Sequence, residues 1–179
     1  MRSIHENCGA AIAEATAGDA AWSALLAAIT ANESGGCRQT YRFAPEKHQR
    51  LVELLEGREA KVDGLTRMQL EKALGAASGE SERGALLKKL AGLHGYTQIA
   101  GYHSIGWKTT LEVLVEKERH FQFAMMLLRR YCEDFGLEPS SHAMELGRCW
   151  NAGHPNGATR SPLYSWRLQE RMRVWREVG

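Results

Sequence analysis

The chain has 179 residues, of which 44% are hydrophobic and 25% charged, a balance that fits one domain with a sizeable core and excludes a disordered polar tail. Its formal net charge of +2 permits attraction to an anionic polymer but falls short of the basic footprint of a dedicated nucleic-acid binder. No stretch is long and apolar enough for an integral membrane segment, and Met1 to Trp22, interrupted by Glu6, Glu14 and Asp19, lacks the unbroken apolar core of a secretory signal.

Alternating β-branched runs are scarce, whereas apolar residues recur at helical spacing, so the fold class is mainly α. Residues 1–20 read as a lead-in. Trp22, Leu25, Leu26 and Ile29 mark the buried face of a first long helix that must stop at Ser34-Gly35-Gly36. Pro45 opens a second helix carrying Leu51, Val52, Leu54 and Leu55 toward Gly57. Thr66 with Gln69 forms a capping box for a third helix ending before Gly75, and residues 76–84 read as a loop. Leu86, Leu87, Leu90 and Leu93 mark a further helix that delivers the chain into the glycine-containing segment His94 to Gly101. Thr109 with Glu112 suggests a second capping box, and the face from Leu111 to Cys132 reads as the central core helix, ending at Gly136. Pro139 and Ser140 start a helix reaching Trp150, the run Asn151 to Gly157 breaks it, and Ser161-Pro162 caps a last helix carrying Tyr164, Leu168, Met172 and Trp175.

The cysteines at 8, 37, 132 and 149 have no CxxC pairing and no histidine at ligand spacing. They read as buried thiols, with disulfides open only in an oxidising compartment. His94, His103, His120 and His154 make no metal pattern, so neither a metal nor another cofactor is expected.

Glu33 is the residue that points to chemistry. It follows Ile29 by one helical turn and Trp22 by three, which directs it toward the interior. Burial and the negative end of the helix dipole both favour its neutral form, so a proton donor near neutral pH is the natural result. The plainer alternative is a glutamate that swings out past the helix end into solvent.

Its company favours the first reading. Glu33-Ser34-Gly35-Gly36, Gly95-Tyr96-Thr97-Gln98-Ile99 and Trp150-Asn151-Ala152-Gly153, followed by Tyr164, occur in that order. Together they resemble the lytic transglycosylase and goose-type lysozyme superfamily. With Tyr41-Arg42-Phe43 and a Pro-led helix directly after the glutamate motif, the chain looks most like the N-acetylmuramidase domains of phage endolysins and bacterial peptidoglycan hydrolases. The resemblance covers the chain from about Trp22 to the C-terminus and implies a single lysozyme-like helical domain over 1–179 with a substrate cleft. The stretch between Glu33 and Gly95 is longer than in ordinary soluble transglycosylases, Tyr96-Thr97 stand where Leu-Met is common, and Cys149-Trp150 stand where Ala-Tyr is common.

The resemblance implies cleavage of the β-1,4 bond between N-acetylmuramic acid and N-acetylglucosamine, with Glu33 as catalytic general acid. Ser34, Tyr96, Gln98, Asn151 and Tyr164 are the implied substrate-binding residues, Tyr164 also holding Glu33 through its hydroxyl. Their structural alternatives are capping, turn formation and core packing. Tyr102, Trp107 and Trp150 offer further flat faces for sugar rings. If water attacks, Glu46 or Asp63 is a candidate base, although each reads more simply as a surface charge. Many members of the superfamily instead let the substrate finish the reaction, which gives a 1,6-anhydro sugar.

The partner implied is bacterial peptidoglycan, with no nucleic acid expected and the enzyme acting as a monomer. It would be made in the cytoplasm and act in the periplasm or on the cell wall after release or export. Two other classes compete: a non-catalytic peptidoglycan-binding module with the same fold, and a helical nucleic-acid binder using Arg160, Arg167, Arg171, Arg173 and Arg176 near the C-terminus. The default for those arginines is a solvated helix face.

Overall fold

A computed structural model of the chain describes residues 1–36 and 40–178. It is mainly helical, with a few two-residue strands. Residues 1–20, which suggested no element, supply α1 (Arg2–Ala15), whose Ile4, Cys8, Ala11 and Ile12 are buried in the main core.

The centre of that core is α2 (Ala20–Glu33), not the helix around Leu111 to Cys132. Every residue from Ala24 to Thr30 is buried, because its alanines are small enough for neighbouring helices to approach from all sides. Leu25, Leu26 and Ile29 are fully enclosed, each contributing about 2 kcal/mol by removal from water. Asp19 caps the start by accepting from the Trp22 backbone N–H at 2.9 Å. Gly35 and Gly36 end it with φ of +65° and +88°, and a Cβ at Gly36 would lie 2.6 Å from Cδ1 of Ile4.

After β1 (Tyr41–Arg42), a second cluster of apolar residues gathers around α3 (Pro45–Leu55), α4 (Arg67–Leu74) and α5 (Glu80–Ala91). The Thr66–Gln69 capping box at the start of α4 is present in both directions. The supposed loop 76–84 is shorter, since α5 begins at Glu80 with Glu80 and Glu82 in its positive first turn. Between α3 and α4 lies a hairpin of β2 (Lys61–Val62) and β3 (Leu65–Thr66), turned by Asp63 at φ +48° and Gly64 at φ +90°.

The segment His94 to Gly101 forms a second hairpin of β4 (Leu93–His94) and β5 (Ile99–Ala100), and β1 pairs antiparallel with β4. A short α6 (His103–Gly106) and a 3-10 turn (Glu112–Val115) follow. The expected Thr109–Glu112 capping box is absent: Thr109 N–H donates to Ser104 O, and the Thr110 side chain is what reaches the Glu112 carboxylate. α7 (Lys117–Phe135) starts only after Glu116 and ends at left-handed Gly136.

α8 (Ala143–Ala152) begins later than Pro139 and runs on through Asn151, ending at left-handed Gly153. α9 (Tyr164–Val178) packs along α2 with Tyr164, Leu168, Met172 and Trp175 buried. Cys8 and Cys149 are buried thiols and Cys132 a half-buried one, while Cys37 falls outside the described residues.

Candidate functional site

Three separate elements meet at the C-terminal end of α2. Ser34 seals the helix end and donates from Oγ to the carbonyl of Tyr96 at 2.5 Å, while accepting from Gly36 N–H at 3.1 Å. Glu33 is thereby tied to the loop of the β4–β5 hairpin. Ser34 thus acts as a joint between backbone segments, and among the described residues it lines neither of the cavities beside Glu33.

The β4–β5 loop is fixed from beneath. Gly95 has φ +71°, and a Cβ there would lie 2.5 Å from the Leu114 carbonyl and 2.7 Å from Nδ1 of His120. His120 is fully buried, its Nδ1 2.5 Å from Leu114 O and its Nε2 accepting the Thr97 backbone N–H at 2.9 Å. Burial pushes its pKa down to about 4, so the ring is neutral and its proton sits on Nδ1. Trp150 on α8 adds a bond from Nε1 to Thr97 O at 2.8 Å.

Gln98 closes the loop in the left-handed region, φ +61°, with Nε2 donating to Thr40 O and Gly95 O. Its side chain lines the cavities. Tyr96 points the other way, 4% exposed and packed against Phe121 and His120, so its ring is core and not a sugar platform. Tyr102 is likewise buried, and Trp107 stacks on Phe123 at 4.5 Å. Of the aromatic faces proposed from sequence, Trp150 lies in a cavity wall together with its neighbour Asn151.

The Glu33 side chain is 8% exposed. Tyr164 donates its hydroxyl to Oε1 at 2.9 Å, Asn151 Nδ2 lies at 3.5 Å from the same oxygen, and Arg42 NH2 is 3.9 Å from Oε2. Asn151 is itself oriented by the Arg160 backbone N–H, which donates to its Oδ1 at 3.0 Å. Desolvation raises the Glu33 pKa above the ordinary glutamate value, outweighing the Tyr164 and Asn151 hydrogen bonds and the nearby arginines, which favour the anion.

Two adjoining cavities, of about 380 and 450 Å³, share Glu33, Arg42, Gln98, Asn151 and Arg160 in their walls. The first runs toward Lys47, Arg50, Asp63 and His103; the second runs along α9 past Tyr164, Arg167 and Arg171. Glu33 therefore stands where the two meet.

Asp63 has the opposite chemistry from Glu33. Its Oδ2 accepts the Tyr102 hydroxyl, its Oδ1 is 3.3 Å from Arg50 NH1, and its carbonyl takes Arg130 NH1 at 2.9 Å. Burial opposes the charge of Asp63, but the Tyr102 bond, Lys47, His103 and Arg50 together hold its pKa below the usual aspartate range. Glu46 pairs with Arg160.

Sequence reasoning missed Arg42, Lys47, Arg50 and Arg160 as walls of the site. It also missed the hairpin that presents Asp63, although Asp63-Gly64 between Val62 and Leu65 is a strong two-residue turn signal. Of the C-terminal arginines, Arg173 is an exposed residue paired with Glu170 and Glu177, while Arg167 and Arg171 border the second cavity. Among the described residues no group of three or more His, Cys, Asp or Glu is placed to hold a metal ion, and no helix is long and apolar enough to cross a membrane.

No family model matches the chain, and neither a curated protein nor a solved structure matches it.

Proposed function

We propose that the protein cleaves the glycan strands of bacterial peptidoglycan at the β-1,4 bond between N-acetylmuramic acid and N-acetylglucosamine, with Glu33 as general acid. The observation that carries this reading is a buried carboxyl whose pKa is raised by desolvation, held by Tyr164 and Asn151 at the junction of two cavities. In this reading the joined cavities serve as the substrate cleft of a lysozyme-like domain, with sugar on either side of Glu33 and the scissile bond over its carboxyl.

Glu33 gives its proton to the leaving glycosidic oxygen. Asn151 and Gln98, both in the shared wall, hold the N-acetyl group of the sugar that becomes cationic, and Trp150 supplies an apolar face beside them. Asp63 is engaged by Tyr102, Arg50 and Lys47, which lower its basicity, and Glu46 sits against Arg160 at the exposed rim, so neither is favoured as a base for water. This arrangement favours an internal route: the substrate's own 6-hydroxyl completes the substitution while the Glu33 carboxylate takes its proton, giving a 1,6-anhydro product.

Purified peptidoglycan incubated with wild type and with Glu33→Gln, followed by mass spectrometry of the released muropeptides, tests this. Release of anhydro products by wild type alone is expected. Equal release by both proteins removes Glu33 from the mechanism, and release by neither turns the site into a binding module.

A further inference from the structure

The second cavity is lined by more positive than negative side chains. Arg42, Arg160, Arg167 and Arg171 line it, and Glu33 is the single acid in its wall among the described residues. Arg42 has Glu33 at 3.9 Å and Arg160 has Glu46, but Arg167 and Arg171 have no carboxylate within ion-pair distance among the described residues. Arg171 donates to Asn32 Oδ1 at 2.6 Å, and both its burial and the proximity of Arg167 work against its charge. Arg167 is exposed and Arg171 half-buried beside it, so an anion that joins them relieves the repulsion felt by the half-buried guanidinium and gains two charge-assisted donors.

Helix geometry gives the direction. Arg167 and Arg171 follow Tyr164 by three and seven residues on α9, so all three lie on one face, with the arginines about 5 and 10 Å farther along the axis. Tyr164 touches Glu33, and the arginine stripe leads away from the acid. A peptide hanging from the muramic acid sugar beside the scissile bond carries its first free carboxylate within about two residues, roughly 7 Å of extended chain.

We propose that this cavity is a carboxylate-binding subsite for the peptide substituent of the glycan strand, an inference that rests on the glycan-cleaving role of Glu33. Arg167 and Arg171 grip the peptide carboxylate in the fork geometry that arginine offers, and Arg42 and Arg160 extend the positive field to the scissile bond. Peptide-bearing strands are then the preferred substrate.

The test crosses a protein change with a substrate change. Native peptidoglycan, and the same material with its carboxylates converted to neutral amides, are cleaved by wild type, Arg167→Gln and, as a control on the same helix, Arg173→Gln. Neutralising the substrate should raise the wild-type KM about tenfold, and Arg167→Gln should raise it about fivefold on the native wall with little further rise on the amidated one. Arg173→Gln should match wild type. Independent, multiplying losses, or an Arg167→Gln enzyme indistinguishable from wild type on the native wall, would overturn the subsite.

Calorimetric titration with a soluble disaccharide-peptide and its amidated form reads the same contact without chemistry. Wild type should bind the charged form several-fold more tightly, and Arg167→Gln should bind both alike. Wild type binding both alike overturns the subsite, as does tighter binding of a phosphate-bearing wall polymer or of a DNA oligonucleotide. Absence of cleavage with this discrimination intact would instead count against the chemistry at Glu33.

Discussion

Glu33 and Asp63 border the same cavity, and burial pushes both toward the neutral acid, yet their pKa values move in opposite directions. Glu33 belongs to the helical core, where its closest partners are a neutral hydroxyl, a distant amide and one arginine at 3.9 Å. Asp63 belongs to the hairpin beside the smaller cluster, where Tyr102, Arg50 and Lys47 crowd around it. Desolvation alone therefore does not assign a role to a carboxyl; the number and charge of the partners do. One region favours the protonated carboxyl, and the other favours the carboxylate that holds a cationic cluster together.

Exchanging the two acids for their amides is the strongest way to break that contrast. Glu33→Gln should lower wall release by about a thousandfold or more, as loss of a general acid does. Asp63→Asn should leave release within about tenfold of wild type and appear mainly as a lower melting temperature, because Lys47 and Arg50 lose their counter-charge. A thousandfold loss in Asp63→Asn would erase the distinction and make it a partner in the chemistry.

The wall the two regions share is the β4–β5 loop, and two changes probe it. Gly95→Ala places a methyl group against Leu114 O and His120 at a positive φ, so a loss of about 3 kcal/mol in unfolding free energy is expected from chemical denaturation. His120 is neutral when folded, with a pKa of about 4 against about 6.5 unfolded. The unfolded chain thus binds the extra proton first: the stabilisation is complete above pH 6.5 and is lost as pH falls toward 4, by roughly 3 kcal/mol. NMR titration of the ring should show it neutral down to about pH 5, and a midpoint near 6.5 would contradict the buried hydrogen-bonded role.

The smallest effect sharpens the contrast instead of breaking it. Tyr164→Phe removes a hydrogen bond that favours the Glu33 anion, so the Glu33 pKa should rise further. Activity requires the protonated acid and is lost as pH rises through its pKa, so the alkaline limb of the rate profile should move to higher pH.

Local signals in the sequence located some of this and missed the rest for identifiable reasons. The stop at Ser34-Gly35-Gly36 and the Thr66–Gln69 capping box depend on neighbouring residues, and both are present. The Thr109–Glu112 pattern has the same form but fails, because the chain there is pulled into a 3-10 turn that buries Leu114. α1 went unassigned because its apolar face is carried by alanines, a cysteine and two isoleucines and becomes apparent only against α7 and α2.

The site itself is a matter of long-range contacts. Tyr164 meets Glu33 across 131 residues and Asn151 meets it across 118, and no spacing rule reaches that far. Motif order alone grouped them, and motif order also placed Tyr96 among the substrate contacts when its ring is core. The cationic walls were missed because an arginine held in a cavity wall and an arginine in solvent look alike in sequence, as Arg171 and Arg173 show.

The central claim is that the same cavity shifts the two carboxyls in opposite directions, Glu33 toward the neutral acid and Asp63 toward the anion, and a carbon-13 carboxyl NMR titration of wild type, with Glu33→Gln and Asp63→Asn to assign the signals, measures it directly. Glu33 should titrate above the ordinary glutamate value and Asp63 below the ordinary aspartate value, with wall release falling as Glu33 loses its proton. A Glu33 that titrates at or below the ordinary value, or a release profile that ignores its titration, would contradict the account.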